Sequence, residues 1–411
     1  MAEFWFVSAP LPGHLDWGGY LKTAQALQAM GEHVLWISGP PVARTIAAAG
    51  LPFATISQTG WLWPLPPPPD LTSLPPQEAI RLRYSRALDT WLTEALIIPA
   101  VEALLALAEV RGRPGVIVTD PFLAASALAA EALNVPLAVC GWPSLPAPAE
   151  DALLPIQVTL AAEARERIAR LARHFGVQGA NFSQGPTPAV QSPHLHISYF
   201  SRYWHQSDPE ILPQTQFVGG MPAPPQGDPP DWLRALDGAP LGLVTLGTVF
   251  TGDLGFLSWA ARALARIGVV PLVVLGRPLE AGPKAELVAA LPPGTRLLNW
   301  VDFDHVFPRL SVIVHHGGMG TTHAAVVHGL PQVVVPHAAD QRGQARRVAQ
   351  AKVGISLSAL EVRQGKLLPG IRAVATDPGV RATAQKLAAE FARLGGPARA
   401  AALLQGLVRR E

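Results

Sequence analysis

The stretch Val312 to Pro336, VIVHHGGMGTTHAAVVHGLPQVVVP, gathers residue types that can do chemistry. Val312-Ile313-Val314 reads as a buried strand, followed by His315, His316 and a glycine-rich turn. A helix from about Thr321 to His328 comes next, stopped by Gly329 and Pro331. A glycine turn between a strand end and a helix start is an anion site: unpaired backbone N–H groups and the positive helix end converge, and small residues let a phosphate approach. Thr321 and Thr322 add hydroxyl donors. After the next strand comes Pro336-His337-Ala338-Ala339-Asp340-Gln341, whose side chains emerge at the same carboxyl edge of the sheet. An adjacent carboxylate and amide suit vicinal hydroxyls, which both donate and accept hydrogen bonds. A diphosphate site beside a hydroxyl-reading pair implies a nucleotide sugar as ligand.

The elements that position these residues follow from the apolar patterning. Short buried strands are expected at Phe4–Ser8, Val34–Ser38, Val116–Thr119 and Leu137–Cys140, with helices at Gly18–Met30, Gln77–Ala108 and Phe122–Leu133. The second half repeats the theme, with strands at Gly242–Leu246, Val269–Leu275, Arg296–Leu298, Val312–His315 and Gln332–Val335. Such alternation implies βαβ units and an α/β fold with a parallel sheet in each half. Between them, Ser207 to Trp232 is proline-rich and reads as a semi-rigid linker. The domains expected are 1–207, a linker at 208–232, 233–394, and a C-terminal helix at 395–411 that crosses back to the first domain. A second proline-rich stretch, Trp61 to Pro76, is expected to be a loop that packs its own side chains or forms a lip over an apolar acceptor site.

Bulk properties narrow the function classes. The chain has 411 residues, 49% apolar and only 15% charged, which supports two filled cores and argues against disorder. A formal charge of +2 supplies no field for nucleic acid, so no nucleic-acid partner is expected. The single cysteine, Cys140, lies in an apolar run and reads as packing in a reducing cytoplasm. No basic leader or long uncharged apolar run is seen, so neither a signal peptide nor a membrane span is expected. The stretch Leu160–Phe175 carries Arg165, Arg167, Arg170 and Arg173 among apolar positions, and peripheral contact with an anionic membrane is the most that it could support.

The motif HHGGMGTTHAA followed by PHAADQRGQARRV resembles the donor motif of glycosyltransferase family 1, the nucleotide-sugar enzymes of the macrolide, sterol and carotenoid type. That resemblance implies the GT-B fold, two Rossmann-like parallel-sheet domains facing across a cleft. It also implies that His316, Gly318, Gly320 and Thr321 hold the donor diphosphate, with Thr248 of Thr245-Leu246-Gly247-Thr248 helping. Trp300 and Val301 of Asn299-Trp300-Val301 would hold the base, and Asp340 and Gln341 the sugar hydroxyls. Leu11-Pro12-Gly13-His14 resembles the family's Gly-His turn, whose histidine is the general base, and Asp120 of Val118-Thr119-Asp120-Pro121 matches the aspartate that orients it. The activity implied is inverting, metal-independent transfer of a hexose from a UDP- or dTDP-sugar to a lipophilic acceptor, without cofactor. Trp61, Trp63 and Trp142 would line the acceptor pocket.

Three positions depart from the family pattern: Trp17 stands where proline usually follows, Phe303 replaces a glutamine or histidine, and Ala324 replaces a glutamate that binds ribose hydroxyls in many members. The last leaves UDP and dTDP donors both open. A metal site built from His315, His316, His323, His328 and His337 is disfavoured, because adjacent strand residues face opposite ways and positions five apart share no helical face. Two other activities remain open on the same fold: nucleotide-sugar binding without transfer, as a partner's activator, and epimerisation of a UDP-N-acetylsugar. Neither the acceptor nor the oligomeric state is legible.

Overall fold

The computed structural model describes residues 2–408 except 12, 14, 16, 17, 65–69, 147–154, 184–188, 209, 226, 249–251 and 338–340; the side chains of 83, 84 and 87 are likewise not described. The chain forms two compact units: residues 1–199, 208–218 and 397–411 in the first, and 200–207 with 219–396 in the second.

The first unit is a seven-stranded sheet: β1 (Glu3–Val7), β2 (His33–Ser38), β3 (Phe53–Thr55), β4 (Val116–Thr119), β5 (Leu137–Cys140), β6 (Leu195–Ser198) and β7 (Thr215–Phe217). Its order is β3-β2-β1-β4-β5-β6-β7, with every paired strand parallel. Successive side chains of a strand point to opposite faces. In β1, Trp5 and Val7 therefore enter one apolar layer while Phe4 and Phe6 enter the other. Both faces are covered, which is why β1, β4 and β5 read as unbroken apolar runs. The helix Gly396–Val408 supplies Ala400, Ala401 and Leu404 to the second layer.

The second unit has six parallel strands: β8 (Leu241–Thr245), β9 (Val270–Val274), β10 (Arg296–Leu298), β11 (Leu310–His315), β12 (Gln332–Val334) and β13 (Gly354–Ser356), in the order β10-β9-β8-β11-β12-β13. Here too alternate residues divide between two layers: Val312 and Val314 go to one, Ile313 to the other.

Several expectations are corrected. The single helix expected at Gln77–Ala108 is two, Pro76–Trp91 and Glu94–Arg111. The chain turns extended at Thr93, whose hydroxyl bonds back to the Asp89 carbonyl, while Leu92 is wholly buried in the first core. The proline-rich 208–232 stretch is not linker throughout, because it contains β7, an edge strand whose three residues pair with β6. Residues 200–207 lie with the second unit rather than the first.

In the arginine-bearing helix, Pro155–Phe175, two of the arginines are drawn into ion pairs. Arg167 pairs with Asp89 at 2.8 Å and Glu163 at 2.5 Å, and Arg170 with Glu94 at 2.7 Å and Glu166 at 2.8 Å. Its apolar positions Ile168, Leu171 and Ala172 are buried in the first core. Among the described residues one stretch, Leu88–Arg111, is long and apolar enough to cross a membrane. Within it Ile97, Ala100, Val101, Leu104 and Ala108 pack in that same core.

Candidate active site

In the second unit the strand ends are level. The register pairs Thr245 with both Val274 and His315, His315 with Val334, and Val274 with Leu298. The strand order reverses between β8 and β11, so the loops after Thr245 and His315 part in opposite directions and leave a crevice, the usual ligand position in an open α/β sheet. Gly247-Thr248 leaves from one side and His316-Gly317-Gly318 from the other.

The imidazole of His316 lies between these loops. A Cβ on Gly318 would sit 2.4 Å from its Nε2, and a Cβ on Gly247 would sit 2.7 Å from its Cε1. Gly247 also has φ +71°, so both its conformation and its surroundings require glycine. Burial first, then the neighbouring His315 and His337, push the His316 pKa down to about 3, so the ring is neutral near pH 7. Its Nδ1 is buried and, among the described residues, meets no partner at hydrogen-bond geometry.

His315 is a different kind of residue. It is fully buried, its Nδ1 accepts the Gly317 N–H at 3.1 Å, and its Nε2 faces Gln332 Oε1 at 3.0 Å. Those partners imply the Nε2–H tautomer, and burial lowers its pKa to about 4. His315 thus shapes the turn, and His316 faces its glycines.

The helix Met319–Val327 starts at Gly318, with no side chain capping its first turn, so the amides of Met319, Gly320 and Thr321 are not taken by a side-chain cap. Thr321 is nearly buried; Thr322 donates instead to the Gly318 carbonyl at 2.9 Å. Thr248 is half-buried after β8. Trp300 is 58% exposed, whereas Val301 packs with Ala324 against the core below. Gln341 is buried, and its Oε1 accepts the His337 N–H at 2.8 Å; Asp340 lies outside the described residues.

His337 itself was not singled out by the sequence as a site residue. Its Nδ1 donates to the Val335 carbonyl at 2.8 Å, its Nε2 lies 3.5 Å from the Asp253 carboxylate, and its ring meets Phe256 edge-on at 5.5 Å. Asp253 caps the helix Leu254–Ala265 by accepting the Phe256 N–H at 2.9 Å. The aspartate just before an apolar helical run was the one available signal. Among the described residues, no three His, Cys, Asp or Glu side chains converge to hold a metal.

In the first unit the order reverses between β1 and β4, where Val7 pairs with Thr119. Asp120 follows directly and is 1% exposed. Its Oδ1 accepts the Phe122 N–H at 2.8 Å, while Oδ2 is buried with no partner among the described residues. Burial raises its pKa to about 7, against the lowering pull of the Phe122 and Ala9 amides. His14 lies outside the described residues. Trp61 packs on Phe122 at 5.7 Å between centroids, and Trp63 is 37% exposed. The indole N–H groups of Trp61 and Trp142 are both buried without a partner among the described residues. Leu65 and the prolines after it, part of the expected lip, lie outside the described residues.

Two doubly wound parallel sheets, with a glycine-and-histidine crevice at the switch point of the second, define the GT-B fold. Comparison with known proteins agrees. Residues 272–407 match the family described as Erythromycin biosynthesis protein CIII-like, C-terminal domain. Demethyllactenocin mycarosyltransferase of Streptomyces fradiae is 32% identical over 212 residues, 52% of this chain and 45% of that protein. The chain thus spans about half the length of that relative. The elloramycin glycosyltransferase ElmGT of Streptomyces olivaceus is 28% identical over 97% of this chain and 95% of its own. The solved spinosyn rhamnosyltransferase SpnG, complexed with thymidine diphosphate, superposes with a TM-score of 0.72 at 24% identity, covering 99% of this chain and 100% of that one.

Proposed function

We propose that the chain is an inverting glycosyltransferase that moves a hexose from a nucleotide diphosphate sugar to a hydroxyl of a lipophilic small molecule. The observation that carries this reading is the His316 ring held between Gly247 and Gly318 at the second unit's switch point, beside an uncapped helix N-terminus. Amides of that helix, the Thr321 and Thr248 hydroxyls and the neutral His316 imidazole would hold the diphosphate. Trp300 would stack on the base, and Asp340 with Gln341 would bind the sugar hydroxyls.

Ala324 offers no carboxylate for ribose hydroxyls, which favours a dTDP-sugar. That choice is also supported by the fold's likeness to a rhamnosyltransferase bound to thymidine diphosphate.

In the proposed step, His14 takes the acceptor's hydroxyl proton while Asp120 orients the imidazole and balances its charge. The acceptor oxygen bonds to the anomeric carbon as the bond to the diphosphate oxygen breaks on the opposite face, inverting configuration. The leaving charge would fall on backbone amides, the helix dipole and the His316 N–H, groups that can serve without a metal ion. Trp61, Trp63 and Trp142 would line an apolar acceptor surface. The one thiol, Cys140, is buried, in keeping with work in a reducing cytoplasm.

The test is a matrix of dTDP- and UDP-hexoses against lipophilic phenols and alcohols, read by mass spectrometry. Acceptor-linked hexose of inverted configuration is expected, strongest with dTDP donors. Donor binding with no product for any acceptor would leave a binding protein, and turnover of the donor alone would indicate an epimerase.

A further inference from the structure

We propose that Tyr20 is a positioning residue for Asp120: its hydroxyl ties the ends of β1 and β4 together and so holds Asp120 at the point where the strand order reverses. The inference rests on the function proposed above for Asp120.

Tyr20 opens the helix Tyr20–Ala29 and is 1% exposed. Its hydroxyl lies 3.0 Å from the Val7 carbonyl and 3.0 Å from the Val118 carbonyl, so one proton is shared between two strands. Val7 is the last residue of β1, and Val118 is two residues before Asp120. Both lie where the strand order reverses, the point from which the two loops diverge.

The ring is fixed independently of the hydroxyl. It meets Trp36 at 5.0 Å and Phe6 at 5.3 Å between centroids. Trp36 also donates to the Ser8 hydroxyl at 3.0 Å, holding the first residue after β1. Gly19 precedes Tyr20 at φ +147°, and a Cβ there would lie 2.8 Å from the Tyr199 ring, so the entry to the helix has little room to shift.

The titratable groups around the Tyr20 hydroxyl are Asp120 after β4, Cys140 at the end of β5, and Tyr199 after β6, which shares a 2.7 Å hydrogen bond with Thr23. Burial pushes the Cys140 thiol up to about 12 and both tyrosines well above their ordinary value, so Asp120 is the one of these groups that titrates near neutrality. The Tyr20 proton covers the negative ends of the Val7 and Val118 carbonyls, and Asp120 lies near enough to help raise the Tyr20 pKa. Without it, ionised Asp120 would face them unscreened.

Tyr20→Phe keeps the ring and removes one oxygen. Expected are a kcat about 10-fold lower with donor KM unchanged, because Asp120 is displaced while the second unit's donor groups are untouched. The acidic limb of the kcat–pH profile should move up by about half a unit, since uncovered carbonyl dipoles disfavour the carboxylate. Thr23→Val removes a neighbouring buried hydroxyl on the same helix without touching either carbonyl, and should keep the parental profile. Carboxyl-carbon NMR of Asp120 supplies a readout independent of turnover, and its titration should rise in Tyr20→Phe. An unmoved Asp120 titration, or an equal effect in Thr23→Val, overturns the proposal. Absence of transfer by the parent chain, with the NMR shift present, would instead sink the reading of its function.

Discussion

His315 and Gln332 meet across neighbouring strands, imidazole Nε2 to amide Oε1 at 3.0 Å, and this contact separates two adjacent histidines that look equivalent in the sequence. His315→Ala would leave the Gln332 amide oxygen and the Gly317 N–H without their partner. A stability loss of about 2–4 kcal/mol in urea unfolding is expected, with donor affinity falling only as far as the turn loosens. His316→Ala should do the reverse, lowering kcat at least about 10-fold with little change in unfolding midpoint. Equal effects on both quantities would remove the distinction.

Gly318→Ala introduces a methyl 2.4 Å from His316 Nε2. The ring must move, and with it the crevice. Calorimetric affinity for dTDP should fall by about 10-fold or more, while far-ultraviolet circular dichroism is unchanged. Unaltered affinity would show that the nucleotide does not use this turn.

Trp300 offers an exposed aromatic face that supports no core of its own. Trp300→Ala should weaken nucleotide binding by about 1–3 kcal/mol, the scale of base–aromatic stacking, at constant melting temperature. Wild-type affinity would place the base elsewhere.

Asp120 carries a pH dependence of definite sign. Its folded pKa, raised by burial to about 7 from 3.8, means that the folded chain holds a proton which the unfolded chain releases. Stability from this group is full below pH about 4, falls as pH rises, and is lost above about 7. Asp120→Asn lacks this loss, so its advantage in unfolding free energy should open from pH 4 to 7 and then level off, on the order of 2–4 kcal/mol. Transfer should nevertheless fall at least about 100-fold in the same variant. A constant gap across that range would show that Asp120 is ionised in the fold throughout.

The buried histidines act at the opposite end. His196 and His315, near 4, and His316, near 3, stay neutral in the fold where the unfolded chain binds protons below about 6.5. Their contribution is full above pH 6.5 and is lost as pH falls toward 4 and 3. The melting temperature should drop through this range, and less steeply in His316→Ala. Identical slopes would mean that His316 is solvated.

Apolar patterning made much of this fold legible. Val116–Thr119 and Leu137–Cys140 are strands expected because buried parallel strands must be apolar on both faces; Arg296–Leu298, an edge strand, was also expected. The strands β3, β6, β7 and β13 escaped because polar residues such as Thr55, His196, Gln216 and Ser356 break their short apolar runs, and β7 sits among prolines that suit an edge. The glycine turn and its two histidines were visible as residue types. Which histidine faces the crevice depends on Gln332, seventeen positions on and one strand across. The same holds for Tyr20, whose role comes from Val118, ninety-eight residues later.

The helix Gly396–Val408 places Ala400, Ala401 and Leu404 in the first unit's core, although the whole second unit separates them from the rest of that core in sequence. During synthesis, the domain that begins first therefore waits with an open apolar face until the ribosome has passed the other one entirely. Vectorial folding favours the second unit as the earlier finished body, and any stall before residue 397 leaves that layer without Ala400, Ala401 and Leu404, an opening for chaperones or self-association to find.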